Sequence, residues 1–158
     1  MGEPRPGETL LPFDPATRGD GSVSFIGVIR SSWGPEGCPK NIRAARESGK
    51  PAQIELHAGF ELGLTGLEVG QAVIAIYWMD QSRRDIIVQR PRHTDGPRGV
   101  FALRSPARPN PIAMSTVRIT ALDPETGRIE IDAIDVFDGT PLIDLKPWVE
   151  TIDLPPDK

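Results

Sequence analysis

Arg104-Ser-Pro-Ala-Arg-Pro-Asn-Pro-Ile112 gathers two arginines, three prolines and one asparagine into nine residues. Proline fixes its own φ and pushes the preceding residue into an extended conformation. Ser105, Arg108 and Asn110 each precede a proline, so the segment is stiff and not helical. With three backbone donors missing, it is not a central strand either. A rigid extended loop of this kind holds Arg104, Arg108 and Asn110 at set positions. Arginine offers a planar fork of donors, and asparagine can read a base edge or a carboxylate. Two plainer readings stand beside this one: a proline-rich turn between strands, and a Pro-x-x-Pro docking peptide through Pro106 and Pro109. Arg108 has a structural reading of its own, as a brace for the loop.

The loop sits in a basic block. From Arg83 to Arg108 seven arginines face Asp85 and Asp95, a balance of +5, whereas Arg128 to Lys158 carries −5. A block of arginine rather than lysine points to phosphate or carboxylate recognition. The alternative is a pair of solvated faces that attract each other or a second subunit. Arg90, Arg92 and Arg98 lie in the segment Arg90 to Gly99, which must be a loop, and they are read with Arg108 and Asn110 as substrate contacts. His93, beside Thr94 and Asp95, reads as a surface histidine.

Other chemistries find no support. His57 and His93 are far apart and Cys38 has no partner, so no metal site is expected. There is no Gly-x-Ser-x-Gly elbow and no P-loop. Gly63, Gly66 and Gly70 do not form a dinucleotide fingerprint. Three polar turns remain: Pro39-Lys40-Asn41 before a short helix, Asp80-Gln81 after a buried strand, and Asp138-Gly139-Thr140-Pro141 before another. Alone, the last is an ordinary β-turn.

The elements that must position these groups are mostly strands. Val23–Ile29, Gln53–His57, Ala72–Met79, Ile86–Gln89, Gly99–Leu103, Ile112–Ile119, Arg128–Ala133 and Leu142–Val149 read as extended. Alternation marks the half-buried ones, and a continuous apolar run marks Ala72–Met79 as buried on both faces. Asp123 to Gly127 is a hairpin turn with Gly127 left-handed, and a change of parity suggests a bulge near Ala133. Asn41 caps the best helix candidate, which ends at Gly49; Leu62 to Gly70 holds at most a helical turn. The 16 glycines and 17 prolines among 158 residues suit short strands and many turns. The expected fold is mainly β, an antiparallel sandwich or, preferred, a closed barrel, as a single domain over residues 22–150 with at most short helices, a flexible arm over 1–21 and an acidic tail over 151–158. No run approaches the length of a membrane span, the N-terminus shows no apolar leader region, and one cysteine fits a reducing cytoplasm.

Together the motifs Ile26-Gly-Val-Ile-Arg-Ser31, Gly99-Val-Phe-Ala-Leu-Arg-Ser105, Arg108-Pro-Asn-Pro-Ile112 and Asp138-Gly-Thr-Pro-Leu-Ile-Asp-Leu-Lys-Pro147 resemble the TsaA-like family. Its tRNA enzymes methylate threonylcarbamoyladenosine beside the anticodon. The likeness runs from about Phe25 to Val149. It implies a barrel, a homodimer, S-adenosylmethionine as cofactor and tRNA as substrate. By motif the cofactor would meet Pro39, Lys40, Asn41, Asp80, Gln81, Arg104, Met114, Asp138, Gly139, Thr140 and Pro141. No catalytic base can be assigned from the sequence. Three departures bear on the substrate. Asp80-Gln81 stands where the family often has His-Gln, Ala113 replaces a usual glycine, and the bacterial tRNA enzymes carry a further C-terminal domain. A cofactor-binding module without turnover and a small-metabolite methyltransferase are the competing readings.

Overall fold

The computed structural model describes residues 3–156. Met1, Gly2, Asp157 and Lys158, the outermost parts of the expected arm and tail, lie outside the described residues. In chain order the strands are β1 (Thr9–Leu10), β2 (Gly27–Arg30), β3 (Ala52–Leu56), β4 (Ala72–Trp78), β5 (Ile86–Gln89), β6 (Arg98–Gly99), β7 (Ile112–Asp123), β8 (Arg128–Ile131) and β9 (Thr140–Pro147). Two short helices, α1 (Ile42–Glu47) and α2 (Glu150–Asp153), complete the regular elements with three 3-10 turns. The chain divides into two compact units, one of residues 24–77 and 114–158, the other of residues 1–23 and 78–113.

The first unit is built on six strands that close in the order β2-β3-β8-β7-β4-β9. The ring shuts through the antiparallel pairing of β2 with β9, Val28 opposite Pro141. Alternation decides which side chains face inward. In β8, Ile129 and Ile131 are fully buried while Arg128 and Glu130 are exposed. In β7, Ser115, Val117 and Ile119 point inward. The continuous apolar run of β4 behaves as expected for a two-sided strand, with Val73, Ile74 and Ala75 all buried. Gly27 is needed for the close approach of β2 to β3, since a Cβ there would lie 2.3 Å from the Glu55 carbonyl oxygen. The β7–β8 hairpin turns at Gly127 with φ of 69°. Asp123 holds that turn by accepting from the Glu125 and Thr126 N–H groups and from the Thr126 hydroxyl. These bonds, that from the Thr126 hydroxyl foremost, draw the Asp123 carboxyl below its usual range.

Two details differ from expectation here. The first barrel strand begins at Gly27 rather than Val23. No bulged strand runs through Ala133; β8 stops at Ile131, and Ala133, Ile134 and Val136 are buried on irregular backbone. That backbone is satisfied by side chains instead of a ladder. Trp33 Nε1–H donates to the Ile134 carbonyl at 2.8 Å, and the Ser31 hydroxyl donates to the Val136 carbonyl at 2.7 Å.

The second unit contains the three-stranded sheet β1-β5-β6. Residues 1–21, expected to be a flexible arm, supply β1, which pairs with β5 through Thr9 and Val88. They also supply a 3-10 turn, Pro15–Thr17, capped by Asp14. Composition alone hid this because the strand is only two residues long. The expected strand Gly99–Leu103 is also corrected. The chain pairs only at β6 and then turns into a 3-10 helix over Val100–Ala102.

Candidate functional site

The proline loop owes its shape to arginine. Arg108 turns its guanidinium onto the carbonyl oxygens of Val100 and Leu103, and its backbone N–H donates to the Arg83 carbonyl at 3.1 Å. Arg108 therefore occupies the bracing role rather than that of a contact open to ligand. The Val100 carbonyl accepts the Leu103 N–H as well, at 3.2 Å. Arg84 ties the other side of the loop. Its Nε donates to the Pro109 carbonyl at 2.7 Å, its Nη2 reaches Asn110 Oδ1 at 3.3 Å, and its guanidinium lies 5.3 Å from the centre of the Trp78 ring. Asn110 is exposed, with its amide N–H2 left to donate.

Arg83 makes the tightest ion pair of this unit, two bonds to the buried Asp85 at 2.8 and 3.0 Å. The bond to Arg83 holds the Asp85 carboxyl below its ordinary value, against the effect of burial. Among the described residues Arg90 and Arg92 make no ion pair or hydrogen bond, and both are exposed. Arg98 donates only to the nearby Asp95 and Pro97 carbonyls. Asp80, Gln81 and Arg104 are exposed in the same unit.

In the barrel unit the Asp138-Gly-Thr-Pro turn is fixed from several sides. Gly139 takes φ of 81°, a conformation that suits glycine. Its N–H donates to Ile29 and that of Asp138 to Trp33, at 2.9 and 2.8 Å. The Thr140 hydroxyl donates to the Phe137 carbonyl. Asp138 Oδ1 accepts the Ser31 N–H at 3.2 Å, while Oδ2 lies 3.8 Å from Arg30 Nη1. Arg30 is held mainly by Glu55 at 3.0 Å, and that bond raises its pKa above the ordinary value. Trp33 therefore ties the Asp138 turn to the loop that leads through Pro39 and Lys40 to Asn41. Asn41 caps α1 by accepting the Ala44 N–H at 2.9 Å, which leaves its amide N–H2 exposed. Lys40 is exposed, and Met114 is half open at the start of its run in β7. Burial pushes the Cys38 thiol up, with Asp135 adding to the effect.

Two of the three polar turns, those at Pro39–Asn41 and Asp138–Pro141, belong to the barrel unit, and the Asp138 N–H is bonded to Trp33, six residues before Pro39. Asp80, Gln81 and Arg104 belong to the other unit, as do all the expected substrate contacts. Sequence reasoning missed Trp33 and Ser31 as the ties behind the Asp138 turn. It also passed over Arg84 as the partner of Asn110. Among the described residues no cluster of three or more His, Cys, Asp and Glu is placed to hold a metal, and no helix is long and apolar enough to cross a membrane.

Residues 28–154 match the family of the tRNA-methyltransferase O N-terminal domain. A probable S-adenosyl-L-methionine-binding protein of Archaeoglobus fulgidus is 39% identical over 129 residues, which are 81% of this chain and 34% of that protein. A probable S-adenosyl-L-methionine-binding protein of Halobacterium salinarum is 38% identical over 108 residues, 68% of this chain and 84% of that one. The crystal structure of TrmO from Pseudomonas aeruginosa superposes with a TM-score of 0.68 at 31% identity, over 87% of this chain and 60% of the other. The chain therefore spans about a third of the Archaeoglobus protein and three fifths of the Pseudomonas one.

Proposed function

This chain belongs to the family of the tRNA-methyltransferase O N-terminal domain, and from that premise we propose that it is an S-adenosylmethionine-dependent methyltransferase. The substrate we propose is threonylcarbamoyladenosine in tRNA, methylated at N6. The observation that carries the reading is the family match across residues 28–154, which includes all three polar turns and the proline loop. The relatives' names as S-adenosyl-L-methionine-binding proteins support the choice of cofactor. We further propose a cytoplasmic two-fold homodimer, with residues 22–150 as the domain that carries the six barrel strands.

The residues present suit the cofactor's functional groups. The Lys40 ammonium and the free N–H2 of Asn41 suit a carboxylate. Asp138 keeps an oxygen turned to Arg30 and solvent, and a carboxylate there suits an ammonium or ribose hydroxyls. The bonds of Gly139 to Ile29 and of Thr140 to Phe137 fix the turn, and the Ser31 N–H holds the carboxylate, so it needs little reorganisation on binding. Asp80, Gln81, Arg104 and Met114 complete the proposed set.

When bound, the cofactor supplies a methyl group on a sulfonium, which becomes a neutral thioether when the methyl leaves. Such a displacement asks the protein chiefly for alignment, a contribution that can reach about 7–11 kcal/mol. The rigid turns and the braced proline loop suit that task. The attacking nitrogen also has to lose a proton; Asp80 and Asp138 are the exposed carboxylates within the proposed set. Arg90, Arg92 and Arg98 serve as phosphate contacts that position RNA without reading its sequence, and Asn110 is the polar contact beside them.

Transfer of tritium from methyl-labelled S-adenosylmethionine to bulk tRNA tests the proposal. Label in RNA is the expected result. Cofactor binding without transfer would replace it with a binding module, the reading favoured by the relatives' names. Label only in small molecules would replace it with a small-metabolite enzyme.

A further inference from the structure

The unit of residues 1–23 and 78–113 contains a cavity of about 770 Å³, within the range of a site for one small ligand or one nucleotide. More than half of its lining comes from residues 11–23, and the rest from the end of β4, the segment after it, Ile87 of β5, Phe101 of the 3-10 turn and the proline loop. The lining from residues 11–23 lies outside the family match, which begins at residue 28. None of the residues assigned to the cofactor lines it.

The walls are aromatic and the edges are cationic. Phe13, Trp78 and Phe101 all face the cavity. Phe101 is 85% exposed and Phe13 47%, so two apolar rings present faces that a planar occupant would cover. Arg18 lies 5.7 Å from the centre of the Phe13 ring, and Arg84 lies over Trp78. Arg18 is otherwise paired only with the exposed Asp20 at 2.9 Å, a weak surface bond that a phosphate can displace. Asn110 also lines the cavity, and with its Oδ1 taken by Arg84 it presents donors. Flat rings for a π-face, a donor amide for a base edge and an arginine for a phosphate are the parts of a site for unpaired nucleotides. An apolar peptide would use the rings but bring no anion to displace Asp20 from Arg18.

We infer that this cavity is a stacking pocket for one unpaired base of single-stranded RNA, built on the N-terminal segment and additional to the cofactor site. The inference rests on RNA being the substrate and adds to it a second place where the RNA is held. The +5 balance of residues 83–108 attracts the backbone that carries the base.

The test uses the full chain and a fluorescent octamer of adenylate RNA, with affinity read by anisotropy at low salt. Phe13→Ala and Phe101→Ala are the variants; both side chains are well exposed, and a thermal melt checks that each variant folds. Loss of one base–aromatic stack should weaken RNA binding by roughly 5- to 100-fold in each. Calorimetry with S-adenosylmethionine should give the wild-type affinity in both. RNA affinities within about twofold of wild type would overturn the pocket. So would binding of adenosine monophosphate by the wild type with none of the octamer, which would make it a mononucleotide site. Absence of methyl transfer to tRNA, with the two substitutions still weakening octamer binding, would sink the proposed activity and leave the pocket standing.

Discussion

The two units use arginine in opposite ways. In the barrel unit it is a surface residue. Arg30 pairs with Glu55, Arg46 with Asp132, and Arg118 donates to the Gly70 carbonyl, while the interior is filled by Ile29, Ile54, Ile129, Ile131 and Leu142, all fully buried. Among the described residues of the other unit the buried side chains include only Ile86 and Val100 of the large aliphatics, together with Asp85 and Gln89. There Arg83, Arg84 and Arg108 reach inward and satisfy a carboxylate and loop carbonyls. One unit is held by apolar burial, which is non-directional and insensitive to charge. The other is held by charge-assisted hydrogen bonds, which are directional and depend on protonation. Segments with few buried apolar contacts are the ones that open first, so the arginine-braced unit is the part of the molecule suited to accommodate a substrate.

The largest expected effect lies in the barrel. Ile129→Ala removes a fully buried side chain between β3 and β7 and should lower stability by about 2–5 kcal/mol, read from urea unfolding. A loss below 1 kcal/mol would mean that the barrel interior is not the main source of stability. Next comes Arg108→Ala, which takes the charged donor from two carbonyls and leaves that of Val100 to the Leu103 N–H. It should cost about 1.5–3 kcal/mol and raise hydrogen exchange selectively in residues 98–112. Exchange rising equally in β8 would erase the distinction between the units.

Acid should act unevenly as well. The Asp85 carboxyl is held below its ordinary value of 3.8 by Arg83. Its contribution is therefore complete above pH 3.8 and is lost as the pH falls from there through the folded value. Wild type should lose stability over that range, and Asp85→Asn should be weaker at neutral pH with a flatter acid limb. An unchanged acid limb in Asp85→Asn would remove Asp85 from the argument. The smallest stability effect belongs to the exposed Arg92. Arg92→Ala should shift unfolding by no more than about 0.5 kcal/mol, yet flatten the log–log salt dependence of RNA binding by roughly 0.7. A wild-type slope would make Arg92 a solvated side chain and nothing more.

How much of this could be read in advance follows the same division. Period-two patterning exposed β3 and β8, and the apolar run exposed β4, because a barrel strand must sort its side chains between core and solvent. Asn41 as a helix cap and Gly127 as a left-handed turn were legible because those conformations favour those residues. The arginine-braced unit was much less legible. Two-residue strands such as β1 and β6 have no period, and the bend at Val100 is bonded by Arg108 from eight residues away. At the candidate site the motif residues can be named from sequence, but the side chains that brace them cannot. Nothing in a local window links Trp33 to Asp138, or Arg84 to Asn110; only the folded chain brings them into contact.

The strand arrangement also bears on how other chains can attach. A ring of six strands closed by β2 on β9 has no open margin, so no foreign strand can extend it. The small sheet does have margins, but β1 and β6 are two residues each, too short to template pairing with a stray chain. Backbone-to-backbone capture, the usual route to unwanted self-association of β-rich proteins, is thereby denied at both places. Recognition must then be written in side chains, and the loops between strands can diversify without putting solubility at risk.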